Sequence, residues 1–155
     1  MKLQDFLSYL RAIADHRSDI EQFYEATSAE ILDFYQTDLD YPVMWVEIPD
    51  MSIDNDADYP VIRYRGTIAI LNNHDQRNPD EVPILLNSAL DTTLGIVAQI
   101  QHDIERGSHY GTLRRKDMIP ITSDMVDSAI GFQLAYELEY PLDLSAYCDQ
   151  VTDID

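Results

Sequence analysis

Ile130-Gly131-Phe132-Gln133-Leu134-Ala135-Tyr136-Glu137-Leu138-Glu139-Tyr140 alternates large apolar side chains with small or polar ones, six matches in succession. Successive side chains of a strand point to opposite sides, so a period of two puts all six apolar residues on one face. The run predicts a half-buried strand, ended by Pro141. Such a strand needs apolar partners on its own face and hydrogen-bonding partners beside it, and both are sought in the rest of the chain.

Upstream, residues 113–122 read as a second strand, with Pro120 marking an edge or a bulge because proline cannot donate to a ladder. Before it comes the longest element. Asn78-Pro79-Asp80-Glu81 is a helix start, with Asn78 as cap, Pro79 in the first position and acids facing the positive end of the dipole. Pro83 still falls in the first turn, where a missing N–H is tolerable. Leu86, Leu90, Leu94, Val97, Gln101 and Ile104 trace one stripe to Arg106, and Gly107 supplies the stop.

Residues 61–71 alternate again. Ile62, Tyr64, Gly66, Ile68 and Ile70 share one face, and Arg63, Arg65 and Thr67 the other. Residues 43–48, bounded by Pro42 and Pro49, form a short strand. The acidic segment 50–58 between these strands reads as a mobile loop, so the pair makes a hairpin with an extended tip. Leu3, Phe6, Leu7, Leu10 and Ile13 give residues 2–15 an amphipathic helix. A second helical stretch is expected within 18–37, with Ile31, Phe34 and Tyr35 as its apolar face and Glu30 in a capping box, residues 16–27 being ambiguous. The expectation is an α+β domain over residues 1–141: a mostly antiparallel four-stranded sheet packed on a long helix, with N-terminal helices. Residues 142–155 form an acidic tail.

Bulk properties bound the function. At 155 residues one domain is expected, with roughly 70% of the unfolded chain's surface buried. The net charge is −19 and the cations are segregated. Residues 18–62 hold twelve acids and no Lys or Arg, and residues 117–155 hold nine acids and none, while Arg114-Arg115-Lys116 sit together. A surface this negative repels phosphate backbones and anionic lipid heads, which argues against nucleic acid and membrane as ligands. No apolar run approaches the roughly 20 residues that cross a bilayer. Ten Tyr against four Phe fit either many half-exposed interface positions or an ordinary core with wet edges. The single Cys148 cannot form an internal disulfide.

Candidate chemistry is sparse. Asp54, Asp56 and Asp58 are spaced like the start of an EF-hand loop, but Tyr59 stands where glycine must turn and Arg65 where a bidentate glutamate is needed. With Asp50, these acids read as a solvated loop, with an adventitious Ca²⁺ site left open. His16, His74, His102 and His109 are scattered and lack a zinc-ligand pattern, so no metal is expected. There is no nucleophile elbow and no glycine cluster to cradle phosphate, so neither a catalytic residue nor a cofactor is expected. Arg63 and Arg65 face one way on their strand, as do Glu137 and Glu139 on theirs. Neighbouring strands would let them pair, and a packed face would make them set register with a partner. Arg114, Arg115 and Lys116 serve either as a docking patch for an acidic neighbour or as gatekeepers on a strand edge.

The helix at residues 2–15, the hairpin over 43–71, the long helix over 80–106, and Asp127-Ser128-Ala129-Ile130-Gly131-Phe132 entering the last strand carry a resemblance. In element order the chain resembles the tail terminator and head–tail neck proteins of phages. Residues 18–37 and the tail after Tyr140 depart from the simplest version of that pattern. The resemblance implies a non-enzymatic structural protein of the virion, made in the host cytoplasm. It implies a homo-oligomeric ring, commonly hexameric, at the tail end or head–tail junction, with tail-tube or connector proteins as partners and without a cofactor. The alternative is a cytoplasmic acidic adaptor or immunity-type module that binds a basic protein.

Overall fold

The computed structural model describes residues 2–27, 39–54, 59–75, 77–107, 111–122 and 129–145. Its order is α1 (Leu3–Asp15), β1 (Gln22–Ala26), β2 (Val43–Glu47), β3 (Asp50–Asp54), β4 (Val61–Asn73), α2 (Glu81–Glu105), β5 (Thr112–Ile121) and β6 (Ala129–Pro141). One six-stranded sheet runs β1-β2-β4-β6-β5, and β3 pairs with β4 beyond the end of β2. The chain is therefore α+β, with the sheet packed on the long helix as the alternation implied. Every pairing is antiparallel except β1 with β2.

The strand count rises from the expected four to six for two local reasons. Gln22–Ala26 falls where a helix was one option, and it is a strand instead. Its Phe23 packs into the main core, while Tyr24 lies on Trp45 with ring centroids 4.7 Å apart. The helix expected further on, with Glu30, Ile31, Phe34 and Tyr35, lies outside the described residues in 28–38. Asp50–Asp54 is a strand and not the start of a loop. Asp50, Ser52 and Asp54 alternate with Met51 and Ile53, a period of two that the density of acids masks. Residues 55–58 lie outside the described ones.

The central pair is β4 with β6, thirteen residues each, in unbroken register from Val61 opposite Pro141 to Asn73 opposite Ala129. One face of the sheet meets both helices. There Tyr64, Ile68 and Ile70 of β4 and Leu134, Tyr136, Leu138 and Tyr140 of β6 pack against Phe6, Leu10 and Ile13 of α1 and Ala89, Ile96 and Ile100 of α2. Each Leu, Ile or Phe among them, taken fully from water, contributes about 1.5–3 kcal/mol.

The α2 helix lies where expected, but it begins at Glu81 and turns a different face inward. Asn78 and Pro79 form a tight lead-in, their carbonyls accepting from the N–H groups of Glu81 and Val82. Buried against the sheet are Ala89, Thr92, Thr93, Ile96 and Ile100, whereas Leu94 of the expected stripe is 45% exposed. The helix carries Leu or Val on nearly every side, so periodicity alone could not choose. By length and composition α2 is also apolar enough to cross a membrane, contrary to expectation. One side of it, Ala89, Ile96 and Ile100, belongs to the main core, and Asp91, Gln99 and Gln101 interrupt its apolar surface. Gly107, at φ 72°, ends it as anticipated.

The second face of the sheet divides in two. At one end Ala26, Val43, Trp45, Ala69, Leu71, Ile121 and Ala129 form a smaller apolar cluster joined by Tyr24, Leu39 and Tyr41. Toward the other end the face becomes charged. The change falls at Thr67, whose hydroxyl donates to the Glu47 carboxylate.

Candidate interaction surface

The charged half of that face is built by register. Because β4 and β6 pair directly, Arg63 stands opposite Glu139 and Arg65 opposite Glu137. Arg63 Nε donates to Glu139 Oε2 at 2.9 Å, its Nη2 lies 2.8 Å from Asp54 Oδ2, and Arg65 Nε donates to Glu137 Oε2 at 2.6 Å. From the neighbouring strand Arg114 Nη2 donates to Glu139 Oε1 at 3.2 Å. Both oxygens of Glu139 are thus engaged, each by a different strand's arginine. A bulge between Leu113 and Arg115 leaves Arg114 out of step, which lets it reach back across the sheet.

The centre of the ladder is shielded and its rim is open. The Glu139 side chain is 15% exposed and Arg63 25%, against 55% for Arg65, 56% for Arg114 and 65% for Arg115. The hydrogen bond from Arg63, seconded by Arg114, holds the Glu139 carboxyl below its ordinary range despite partial burial. The same bond to Glu139, with Asp54 beside it, raises the Arg63 guanidinium.

Glu139 is therefore easier to ionise when folded, and the stability this gives is present above its ordinary pKa. It is lost as pH falls through the lowered folded value. Arg63→Ala is expected to lower the urea midpoint at pH 7 clearly more than at pH 3. Equal losses at both pH values would show that the arginine acts only by packing.

The other sequence-predicted residues separate. Arg115 Nε donates to Asp117 Oδ2 at 2.5 Å on the charged face. Lys116 points the other way, its Nζ 3.3 Å from Gln101 Oε1 of α2. The three adjacent cations therefore serve two faces of one edge. Asp50 and Asp54 flank β3 on the charged side, while Asp56 and Asp58 lie outside the described residues. Among the described residues no group of three or more His, Cys, Asp or Glu is arranged to hold a metal.

A second feature had no sequence signal. A cleft of about 430 Å³ between α1 and α2 is lined by Tyr9, Ala12, Ile13, His16, Arg17, Gln99 and Asp103. Tyr9 donates to Asp103 Oδ2 and Gln99 to Asp103 Oδ1, both at 2.9 Å. Burial alone would raise the Asp103 carboxyl, but bonds from Gln99, Tyr9 and His102 outweigh it and hold it low, while burial pushes the Tyr9 hydroxyl up. Neither group is thus poised to exchange a proton near neutral pH. Arg17 lies over Gly95 and holds Asp19 with bonds of 2.9 and 2.6 Å, and Thr92 donates to the same carboxylate at 2.8 Å. Tyr9 on Asp103 thus ties α1 to α2, and Asp19 on Thr92 ties the turn after α1 to the same helix, each across more than seventy residues of chain.

No family model matches the chain, and no curated protein matches it.

Proposed function

We propose that this chain is a non-enzymatic structural subunit of a phage or phage-like tail that assembles into a ring at the tail end or head–tail junction. The observation that carries this reading is a sheet whose borders, among the described residues, differ in charge, on a chain of net charge −19. Copies that repel in general can still meet where a basic border finds an acidic one. An acidic ring also suits passage of DNA, because like charge keeps the duplex from sticking to the wall. The ladder of Arg63, Arg65, Glu137 and Glu139 then fixes the sheet internally, while the rim cations, each with a partner in its own chain, stay exposed enough to meet a neighbour's acids as well.

Light scattering on the purified protein, with negative-stain imaging after adding tail-tube or connector subunits, tests the reading. Rings that cap the tube or connector are expected. A persistent monomer that joins neither would sink it. Within the same reading, Arg115→Glu is expected to impair assembly at least tenfold more than Asp56→Asn. Equal effects would remove the basic run from the interface.

The charge imbalance also favours a second reading, an acidic adaptor or immunity-type module. That protein would bind one cationic partner one-to-one, with affinity falling steeply as salt rises. Neighbouring tail-tube and portal genes support the first reading, and a neighbouring toxin gene the second.

A further inference from the structure

Two borders of the sheet combine backbone that no described strand pairs with exposed apolar side chains. Among the described residues β5 pairs only with β6, and β3 only with β4. Along β5, Met118 is 38% and Ile119 48% exposed. On β3, Met51 is 51% and Ile53 57% exposed. Charged gatekeepers protect a strand edge by replacing such residues, whereas here large apolar groups are kept beside the charges. The border at β1 differs: none of its large apolar residues is exposed, and Arg11 covers the Phe23 ring at 4.6 Å.

We propose that β5 of one subunit adds to β3 of a second copy of this chain, extending the sheet from molecule to molecule. This inference rests on the ring reading and names its contact. The two edges are complementary in charge: Arg114, Arg115 and Lys116 lie on β5, and Asp50 and Asp54 flank β3. They are also complementary by face. Asp50 stands opposite Arg65 and Arg115 opposite Glu137, so both belong to the charged side. Met51 stands opposite Tyr64 and Met118 opposite Leu134, so both belong to the helix side. A continuous sheet keeps these sides in register from one copy to the next.

With Ser52 set beside Asp117, either strand direction brings Arg115 to an aspartate of β3. One direction gives Asp54 and the other Asp50. Met51 and Ile53 then meet Met118 and the aliphatic stem of Lys116 on the helix side.

Charge also disfavours the pairing of β3 with itself. Antiparallel pairing of β3 with itself about Ser52 would put Asp50 opposite Asp54 twice. Pairing β5 with itself about Arg115 would bring two basic runs together, and like charges set opposite destabilise a sheet; a register centred on Lys116, which sets Arg115 opposite Asp117, is the symmetric contact the test must separate. A contact of β5 with β3 is head-to-tail, the kind that closes into a ring when the rotation between copies allows. Backbone hydrogen bonds supply the affinity and the side chains the choice of partner.

The test uses full-length chain with Cys148→Ser, carrying either Ser52→Cys or Asp117→Cys, and a short bis-maleimide cross-linker. A covalent dimer is expected only when the two variants are mixed, and a chain carrying both cysteines is expected to link into a ladder of oligomers. Both positions belong to edge strands, so unchanged thermal midpoints serve as the control for folding. Dimers from either single variant would overturn the proposal in favour of a symmetric contact. Oligomers of unchanged mass that never cross-link would overturn it while leaving the ring reading standing. A monomer at every concentration would overturn both.

Discussion

Gly131→Ala is expected to destabilise the protein by about 3 kcal/mol or more, at the upper end of what overpacking costs. Gly131 sits buried in β6 opposite Leu71, in the middle of the sheet. A β-carbon built there falls on the carbonyl oxygen of Ile70 and comes within 3.0 Å of Leu71 Cα. Those are backbone atoms of the central partner strand, so no rotamer change can make room. Either the β4–β6 ladder opens locally or β6 shifts away from it. Domains of this size have about 5–15 kcal/mol of stability in total, so the loss removes a large share. Urea unfolding followed by far-ultraviolet circular dichroism measures it. A variant with the wild-type midpoint would show that the strands part at no cost, against the packing described above.

Phe6→Ala is expected to cost about 3–5 kcal/mol, the range for emptying a buried aromatic site. Phe6 is fully buried and lies parallel to Tyr64, with ring centroids 4.9 Å apart and planes 8° apart. It also meets Tyr136 at 5.8 Å and Tyr140 edge-on at 6.5 Å. Alanine would leave a void among three tyrosine rings that sit on rigid central strands and cannot close around it. The remaining anchors of α1, Leu10, Ile13, Ala14 and the Tyr9–Asp103 bond, hold the helix less firmly without that ring. Amide exchange in α1 should therefore accelerate more than exchange in β4 and β6. Uniform acceleration throughout the chain would mean that α1 does not open separately. Leu94→Ala provides the contrast. Although it belongs to the apolar stripe read from the sequence, Leu94 is 45% exposed, so a change within about 0.5 kcal/mol is expected.

That contrast marks where legibility stopped. The period of two in β6 exposed both its strand and its inward face, because one side of that strand is buried and the other is half wet. The helix α2 was equally plain in extent, from its proline-rich start to Gly107, yet its inward face was not. With Leu85, Leu86, Leu90 and Leu94 around it, a leucine count points everywhere, and the sheet chose the stripe of Ala89, Thr92 and Thr93. In β3 the acids hid a strand whose apolar residues still alternate. For the charged ladder, the sequence supplied the two arginines and the two glutamates on matching periods. Whether they met depended on β4 and β6 being neighbours, and on a register that one step of slippage would destroy. The clamp of Tyr9 on Asp103 left no trace at all, since nothing local links residues ninety-four apart.

Local spacing by itself determined the elements that one side of solvent and one side of core imprint on a chain: α1, α2, β4, β5 and β6, with their turns and the segregation of charge. Tertiary structure alone decided which strands adjoin, which face of α2 turns inward, and that one end of the second sheet face is apolar while the other carries a shielded Arg63–Glu139 pair. The physical reason is range. Propensity and periodicity act over a few residues, whereas strand order, close approach at Gly131 and ion pairing are fixed only when distant segments exclude water from one another.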